Sequence, residues 1–331
     1  MQQEYDSILV VGAGPAGVST ALWLRFLALG FDWACAAPTV GGTLHRVGNP
    51  IDNYPGLPAS NGRVLAEQLR QHVESVGLTP ELSRRVTALH RDPAGGFQLV
   101  FAHTATRHYR RVVLCTGTKP RLLGLAGETR RLRRDVHTGV SDNLSRYPGE
   151  AVAVVGGGDG AMEGALLLAE RCREVHLIHR RDGFRGQHRF IEAVHAHPKI
   201  SVHRPQHVAE LLVERDRLNG VRLSDGSVLH VRALFERLGV QPELPEGLPA
   251  DAVDPEGYLR VDTRGRTCWS GLYGAGDICG RDHQSVSTAV GDGARVSLAI
   301  QADLGLSGHE HPDYDLTASE KANPDADPAR S

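Results

Sequence analysis

The sequence predicts an α/β protein of two Rossmann-like, three-layer dinucleotide-binding domains, one inserted into a discontinuous other. Two stretches carry that expectation, each a buried-strand signal that runs into a glycine fingerprint and then an apolar helix. In the first, Ser7 to Val11 leads into Gly12-Ala13-Gly14-Pro15-Ala16-Gly17 and a helix to about Leu29. In the second, Ala151 to Val155 leads into Gly156-Gly157-Gly158-Asp159-Gly160-Ala161, with helical spacing as far as Ala169. Glycines let the backbone approach a pyrophosphate, and the helix N-terminus turns amide donors and about half a positive charge toward it. Two fingerprints imply two dinucleotides.

The strand after each fingerprint speaks to the ribose. Val175 to Ile178 ends in His179-Arg180-Arg181, with Arg185 close behind. An acid at that point would accept from both ribose hydroxyls, whereas arginines suit a ribose 2′-phosphate. Charge-assisted bonds contribute roughly 1.5 to 3 kcal/mol each, so two of them favour NADPH over NADH by about a hundredfold or more. The strand after the first fingerprint, Phe31 to Ala37, ends in Cys35, Ala36 and Ala37, with Asp32 too early to serve. That departure weakens a ribose contact and leaves the pyrophosphate site intact.

Composition narrows the class of partner. At 331 residues with a net charge of -2, the chain suits two sizeable cores and has no charge excess suited to nucleic acid or a membrane surface. No apolar run approaches bilayer length, and the opening segment enters a strand without a basic or signal-like stretch, so a cytoplasmic protein is expected. The five cysteines (Cys35, Cys115, Cys172, Cys268, Cys279) show no C-x-x-C and no metal-ligand spacing.

Between the fingerprints lies VGGTLHRVGNPIDNYPGLP, whose Gly, Pro and Asn mark an ordered loop. Arg63 to Gly77 is amphipathic, and Val86 to Leu89 and Phe97 to Phe101 alternate like strands of a small antiparallel sheet. GAGPAG, GGTL and IDNYPG in that order resemble the flavin-binding half of low-molecular-weight thioredoxin reductases, within the class II pyridine nucleotide-disulfide oxidoreductases. The resemblance implies that Gly41, Gly42, Thr43 and Asn53 lie along FAD, with Thr43 where the family usually has glutamine. It also implies that Val86 offers its backbone to the adenine. VVLCTGTKP closes on Thr116-Gly117, similar to the turn at which the family's chain leaves the FAD domain, and Gly239-Val240-Gln241-Pro242 is similar to its return. Ala275-Gly276-Asp277 matches the turn whose Asp binds the ribitol and pyrophosphate region, and Gln284 sits where a glutamine lies near the flavin ring. A helix beginning at Ser285 would aim its N-terminus at the pyrimidine side of the flavin, where negative charge builds on reduction.

The resulting organisation is residues 1–119 and 242–306 for the FAD domain, 120–241 for the NADPH domain, and a polar, acidic tail at 307–331 read as disordered. A second reading has Tyr314 or His311 of the tail fold back on the flavin, as a C-terminal extension does in ferredoxin-NADP reductases of this type. The resemblance also implies a homodimer.

One part of the family pattern is missing. Thioredoxin reductases of this size keep C-A-T-C just before the second fingerprint, and here the same place holds Gly139-Val140-Ser141-Asp142. Passing two electrons to a disulfide through the enzyme needs a paired thiol. The expectation is therefore an NADPH-dependent FAD oxidoreductase that delivers electrons to an unidentified acceptor, a small molecule or a small acidic redox protein. Asp142, an acid near the flavin, is the candidate proton relay. Arg130, Arg131, Arg133 and Arg134, with Arg107, Arg110 and Arg111, would steer an acidic partner. The alternatives are a ferredoxin or flavodoxin reductase, a reductase of a low-molecular-weight disulfide, and a non-enzymatic flavin redox sensor.

Overall fold

The computed structural model describes residues 7–48, 50–57, 60–103, 105–280, 282 and 284–306. β1 (Ile8–Val11) is buried at every position, as an unbroken Ile-Leu-Val-Val run requires of a central parallel strand. It opens into α1 (Pro15–Phe26), with Pro15 in the first turn, where a missing N–H breaks no helical bond. β2 (Asp32–Ala34) is shorter than the Phe31–Ala37 run suggests, because the Cys35 N–H turns to the Glu81 carbonyl at 2.9 Å. A ribbon of β3 (Pro50–Ile51) and β4 (Ser60–Asn61) leads to α2 (Gly62–Ser75), capped by the Asn61 side chain, which accepts from the Val64 N–H at 3.1 Å. β5 (Val86–Arg91), β6 (Phe97–Phe101) and β7 (Arg107–Tyr109) form the expected antiparallel sheet, with Phe97, Leu99 and Phe101 turned inward. β8 (Arg111–Leu114) then rejoins β1 in parallel.

β9 (Thr118–Pro120) carries the chain out of this unit and α3 (Glu128–Arg131) begins the next. It comprises β10 (Val136–His137), β11 (Ala151–Val155), α4 (Asp159–Ala169), β12 (Glu174–Ile178), α5 (His188–Ala196) and β13 (Ile200–His203). β14 (Val208–Glu214), β15 (Arg217–Leu223) and β16 (Val228–Leu229) make a three-stranded antiparallel layer before β17 (Ala233–Glu236) closes the parallel sheet. Its strand order is β10-β17-β11-β12-β13, with Val154 and Phe235 facing α4, and Leu234 facing the antiparallel layer. β18 (Val240–Pro242) leads back, pairing antiparallel with β9 so that Val240 opposes Pro120. β19 (Leu272–Gly274) completes the first sheet in the order β19-β8-β1-β2, and α6 (Val286–Asp303) packs along α1. Across that contact Ser19 Oγ donates to the Val290 carbonyl at 2.6 Å, and Ser297 Oγ to the Thr20 carbonyl at 3.2 Å.

Two acids sit where the paired linkers meet the second unit. Glu128, 1 % exposed, accepts the N–H groups of Leu123 (3.1 Å) and Gly124 (2.8 Å). Glu236, 2 % exposed, has no hydrogen-bond partner on either oxygen among the described residues. Burial, and then Glu128 beside it, push its carboxyl up to about 9. Among the described residues no helix is long and apolar enough to cross a membrane. The 307–331 tail, with Tyr314 and His311, lies outside them.

Candidate functional site

The first set of predicted residues gathers at one edge of the β19-β8-β1-β2 sheet, because β1, β8 and β19 are parallel and end side by side. Gly12 has φ +114°, and a Cβ there would lie 2.2 Å from the Cys115 carbonyl oxygen, so only glycine fits. The Gly41 N–H donates to the Ala13 carbonyl at 2.7 Å, which draws the Gly41-Gly42-Thr43 turn against the fingerprint. A Cβ on Gly42 would lie 3.0 Å from the Gly14 Cα, so the two turns approach each other as closely as their missing side chains allow. Thr116 Oγ1 is buried at this edge with no partner among the described residues. Gly117 follows it with φ +68°.

Gly276 and Asp277 cover the other side. Gly276 N–H donates to Asp292 Oδ2 at 3.2 Å. Burial and the facing Asp292 hold the Asp277 carboxyl above the usual carboxylate range. These acids line a cavity of about 270 Å³ with Cys279, Gln284, Thr288 and Arg295. Gln284 Nε2 donates to the carbonyls of Asp277 (3.2 Å) and Gly280 (2.9 Å), pinning the loop between them. Ser285 caps α6 in a reciprocal box with Thr288, and Ser287 Oγ donates to the Asn53 carbonyl at 3.3 Å. Val86 begins the antiparallel sheet opposite Phe101. An orphaned buried hydroxyl, a glycine cradle and a carboxyl raised by burial suit a polyhydroxylated diphosphate, so the residues fit FAD.

The second set surrounds α4. Gly158 is its N-cap with no side-chain cap, so the first-turn amides face outward, and a Cβ on Gly158 would meet nothing within 4 Å. Asp159 is turned aside, accepting from Gln187 N–H (2.6 Å) and Nε2 (3.0 Å), while Arg185 N–H donates to the Gly157 carbonyl at 2.8 Å. Gly160 and Ala161 continue into the helix. His179 does not stand with the arginines beside it. Its ring is 6 % exposed, stacks on Phe184, and lies 2.1 Å from where a Gly157 Cβ would be. Burial holds it below the usual histidine range, and Arg181, Arg185 and Arg180 press in the same direction. Arg180, Arg181 and Arg185 are exposed. Among the described residues none of the three side chains has a hydrogen bond or an ion pair. The turn therefore rests on a neutral imidazole and is ringed by unpaired cations, which fits the diphosphate and 2′-phosphate of NADPH.

Residues 139–142, in the place of the family dithiol, run into a 3-10 helix over Ser141–Arg146. Asn143 Nδ2 donates to the Gly139 carbonyl at 3.0 Å, and Val140 packs against Gly164 of α4. Asp142 pairs with Arg63 of α2 at 2.7 Å, with both side chains well exposed (41 % and 62 %). All five cysteines are unpaired, and burial pushes Cys115 up to about 12 and Cys172 to about 11. Sequence reasoning passed over Arg237 and Glu236. The only signal was that two charged residues interrupt an otherwise apolar strand end, just before Gly239.

Two parallel sheets, each with a glycine turn at its carboxyl edge, define a flavin-dependent pyridine-nucleotide oxidoreductase. The chain belongs to the pyridine nucleotide-disulphide oxidoreductase family, whose model matches residues 6–293. It is 31 % identical over 328 residues to the thioredoxin reductase of Streptomyces coelicolor, covering 96 % of this chain and 97 % of that one. It is 30 % identical over 312 residues to the thioredoxin reductase of Mycolicibacterium smegmatis, covering 89 % and 96 %. In fold it resembles the crystal structure of Lactococcus lactis thioredoxin reductase, with TM-score 0.77, 23 % identity and coverage of 91 % and 99 %. The protein is thus a thioredoxin reductase-like enzyme of the type that uses FAD and NADPH.

Proposed function

We propose that the protein takes a hydride from NADPH onto bound FAD and passes the electrons to an acceptor without an internal dithiol. The observation that carries this reading is the Gly139-Val140-Ser141-Asp142 segment in the place of C-A-T-C, beside a coenzyme turn whose three arginines have no partner among the described residues. We draw the domains at 1–119 with 242–306 and at 120–241, joined by β9 and β18.

Bound FAD would supply a ring system that accepts a hydride and releases electrons singly or in pairs. The chain's own residues do the rest. Amides of the Gly12–Gly17 turn and of α1 hold the flavin diphosphate, and Gly41, Gly42, Thr43, Asn53 and Val86 line its length. Thr116, Gly117, Gly276 and Asp277 close over the ribitol region, with the Asp277 carboxylate accepting from a hydroxyl. Gln284 and Ser285 set the start of α6, whose N-terminus stabilises negative charge. Amides between Gly157 and Gly160 hold the nicotinamide coenzyme diphosphate, and Arg180, Arg181 and Arg185 bind the 2′-phosphate. Asp142 relays a proton at the outer rim once Arg63 is displaced.

A small acidic redox protein is the favoured acceptor. A cavity of about 470 Å³ at the amino ends of β10, β11 and β17 is lined by Arg133, Arg134, Arg146, Arg217 and Arg232, against Asp135, Glu150 and Asp216. Asp135 is already bound to buried Arg131 and to the Leu218 N–H, which leaves a positive excess. We also read the protein as a cytoplasmic homodimer, as its resemblance to thioredoxin reductases implies.

Anaerobic titration with NADPH tests the first half, with bleaching of flavin absorbance as the expected result. An acceptor screen on a variant with every cysteine replaced by serine tests the second. Retained turnover with ferredoxin, flavodoxin or a quinone supports the proposal, and turnover that disappears with the cysteines overturns it.

A further inference from the structure

The carboxyl ends of β11 and β17 border the crevice at which the strand order of the second sheet reverses, where parallel α/β sheets take their ligands. Arg237, the first residue past β17, stands in it. Its carbonyl oxygen is 2.5 Å from the place of a Gly156 Cβ, and Nη2 is 2.9 Å from the place of a Gly160 Cβ. Nε donates to the Gly160 carbonyl at 3.1 Å and Nη1 to the Thr138 carbonyl at 2.9 Å. The guanidinium therefore spans the first turn of α4 and the start of the 138–142 segment.

Among the described residues this half-buried cation has no carboxylate partner, and Nη2 has no hydrogen bond. Burial lowers its pKa and only the more distant Glu163 opposes that. Neutral carbonyls orient a guanidinium without matching its charge, which favours an anion arriving at the remaining donor. The coenzyme turn on one side and the strand-order reversal on the other leave the diphosphate as the anion this position meets.

We propose that Arg237 is a coenzyme-binding residue, gripping the nicotinamide-side phosphate of the coenzyme diphosphate through Nη2 while fixing the 138–142 segment against α4. This rests on the NADPH reading above and adds a contact of a different kind. Arg180, Arg181 and Arg185 discriminate between phosphorylated and unphosphorylated coenzyme, whereas Arg237 binds what the two share.

Equilibrium binding, measured anaerobically on the FAD-loaded protein with its flavin already reduced by dithionite so that no hydride passes, separates these roles. Arg237→Met is expected to weaken NADPH and NADH by the same factor, about tenfold or more. It should leave 2′,5′-ADP, which lacks the nicotinamide-side phosphate, within about twofold of the parent, taken as measurement scatter around no lost contact. Arg181→Met should weaken NADPH and 2′,5′-ADP while sparing NADH. Unchanged NADPH and NADH affinity in Arg237→Met overturns the proposal. So does an equal loss of 2′,5′-ADP affinity, which would mean that Arg237 only holds the domain together. Failure of the parent protein to bind 2′,5′-ADP would remove the coenzyme reading itself and this proposal with it.

Discussion

The two glycine turns solve the same backbone problem with opposite electrostatics. Around Gly12 the walls are backbone and carboxyl groups, with the Cys115 carbonyl against the turn and Asp277 and Asp292 across from it. Around Gly157 the walls are cationic or neutralised, with His179 beneath the turn, Arg237 beside it and three free arginines in front. A turn whose neighbouring cation, Arg295, already pairs with Asp292 holds a diphosphate by amides and enclosure, which suits a cofactor that stays. A turn ringed by unpaired arginines attracts a ligand carrying extra phosphate charge from solution, which suits one that comes and goes. The difference teaches that residence is set by the surroundings, since the fingerprint itself is shared.

The comparison breaks most readily at Gly12. Gly12→Val puts a branched Cβ into the Cys115 carbonyl, and the expected product is insoluble or colourless, checked by flavin absorbance per polypeptide. Next comes charge on the other turn. Arg180→Ala with Arg181→Ala should cut the preference for NADPH over NADH by about tenfold to a hundredfold in kcat/KM, while flavin content is unaffected.

Glu236→Gln sharpens the comparison from the root of the second unit. Unfolded, Glu236 ionises at the ordinary glutamate value of 4.5, but in the folded chain only at about 9. Folding takes up a proton between those values, so the stability present below pH 4.5 is progressively lost as pH rises toward 9. Glutamine carries no such loss. The variant should match the parent in Tm near pH 4.5 and exceed it by a margin that grows as pH rises toward 9, read by thermal melts across that range. A constant difference would show that Glu236 has the same pKa in the folded and unfolded chain. The smallest effect is at the exposed pair: Asp142→Asn should change stability by less than about 0.5 kcal/mol. It should nonetheless flatten the pH profile of flavin reoxidation if the carboxyl relays a proton.

Much of this was legible in the chain. Uninterrupted apolar runs such as Ala151–Val155 fixed the central strands, because a parallel strand buried on both faces leaves no other pattern. Strand ends were less readable. Phe31–Ala37 looks continuous, but β2 stops at Ala34 because Glu81, distant in sequence, supplies the next carbonyl. His179 reads as one of three basic residues in a row, yet period-two alternation and the tight turn send its ring inward while Arg180 and Arg181 face water. Glu236 and Arg237 adjoin each other but serve opposite sides of their sheet. Only the packing of α3 on one side and α4 on the other gives each a meaning.

The pairing of Pro120 with Val240 has a practical consequence. Because the segment enters and leaves at one point, everything between those residues is topologically a single bubble on a continuous flavin-holding body. Replacing residues 121–239 by a short reverse turn should give a miniature that still folds and stains yellow, and the excised piece, its ends already adjacent, is suited to cyclisation or transplantation.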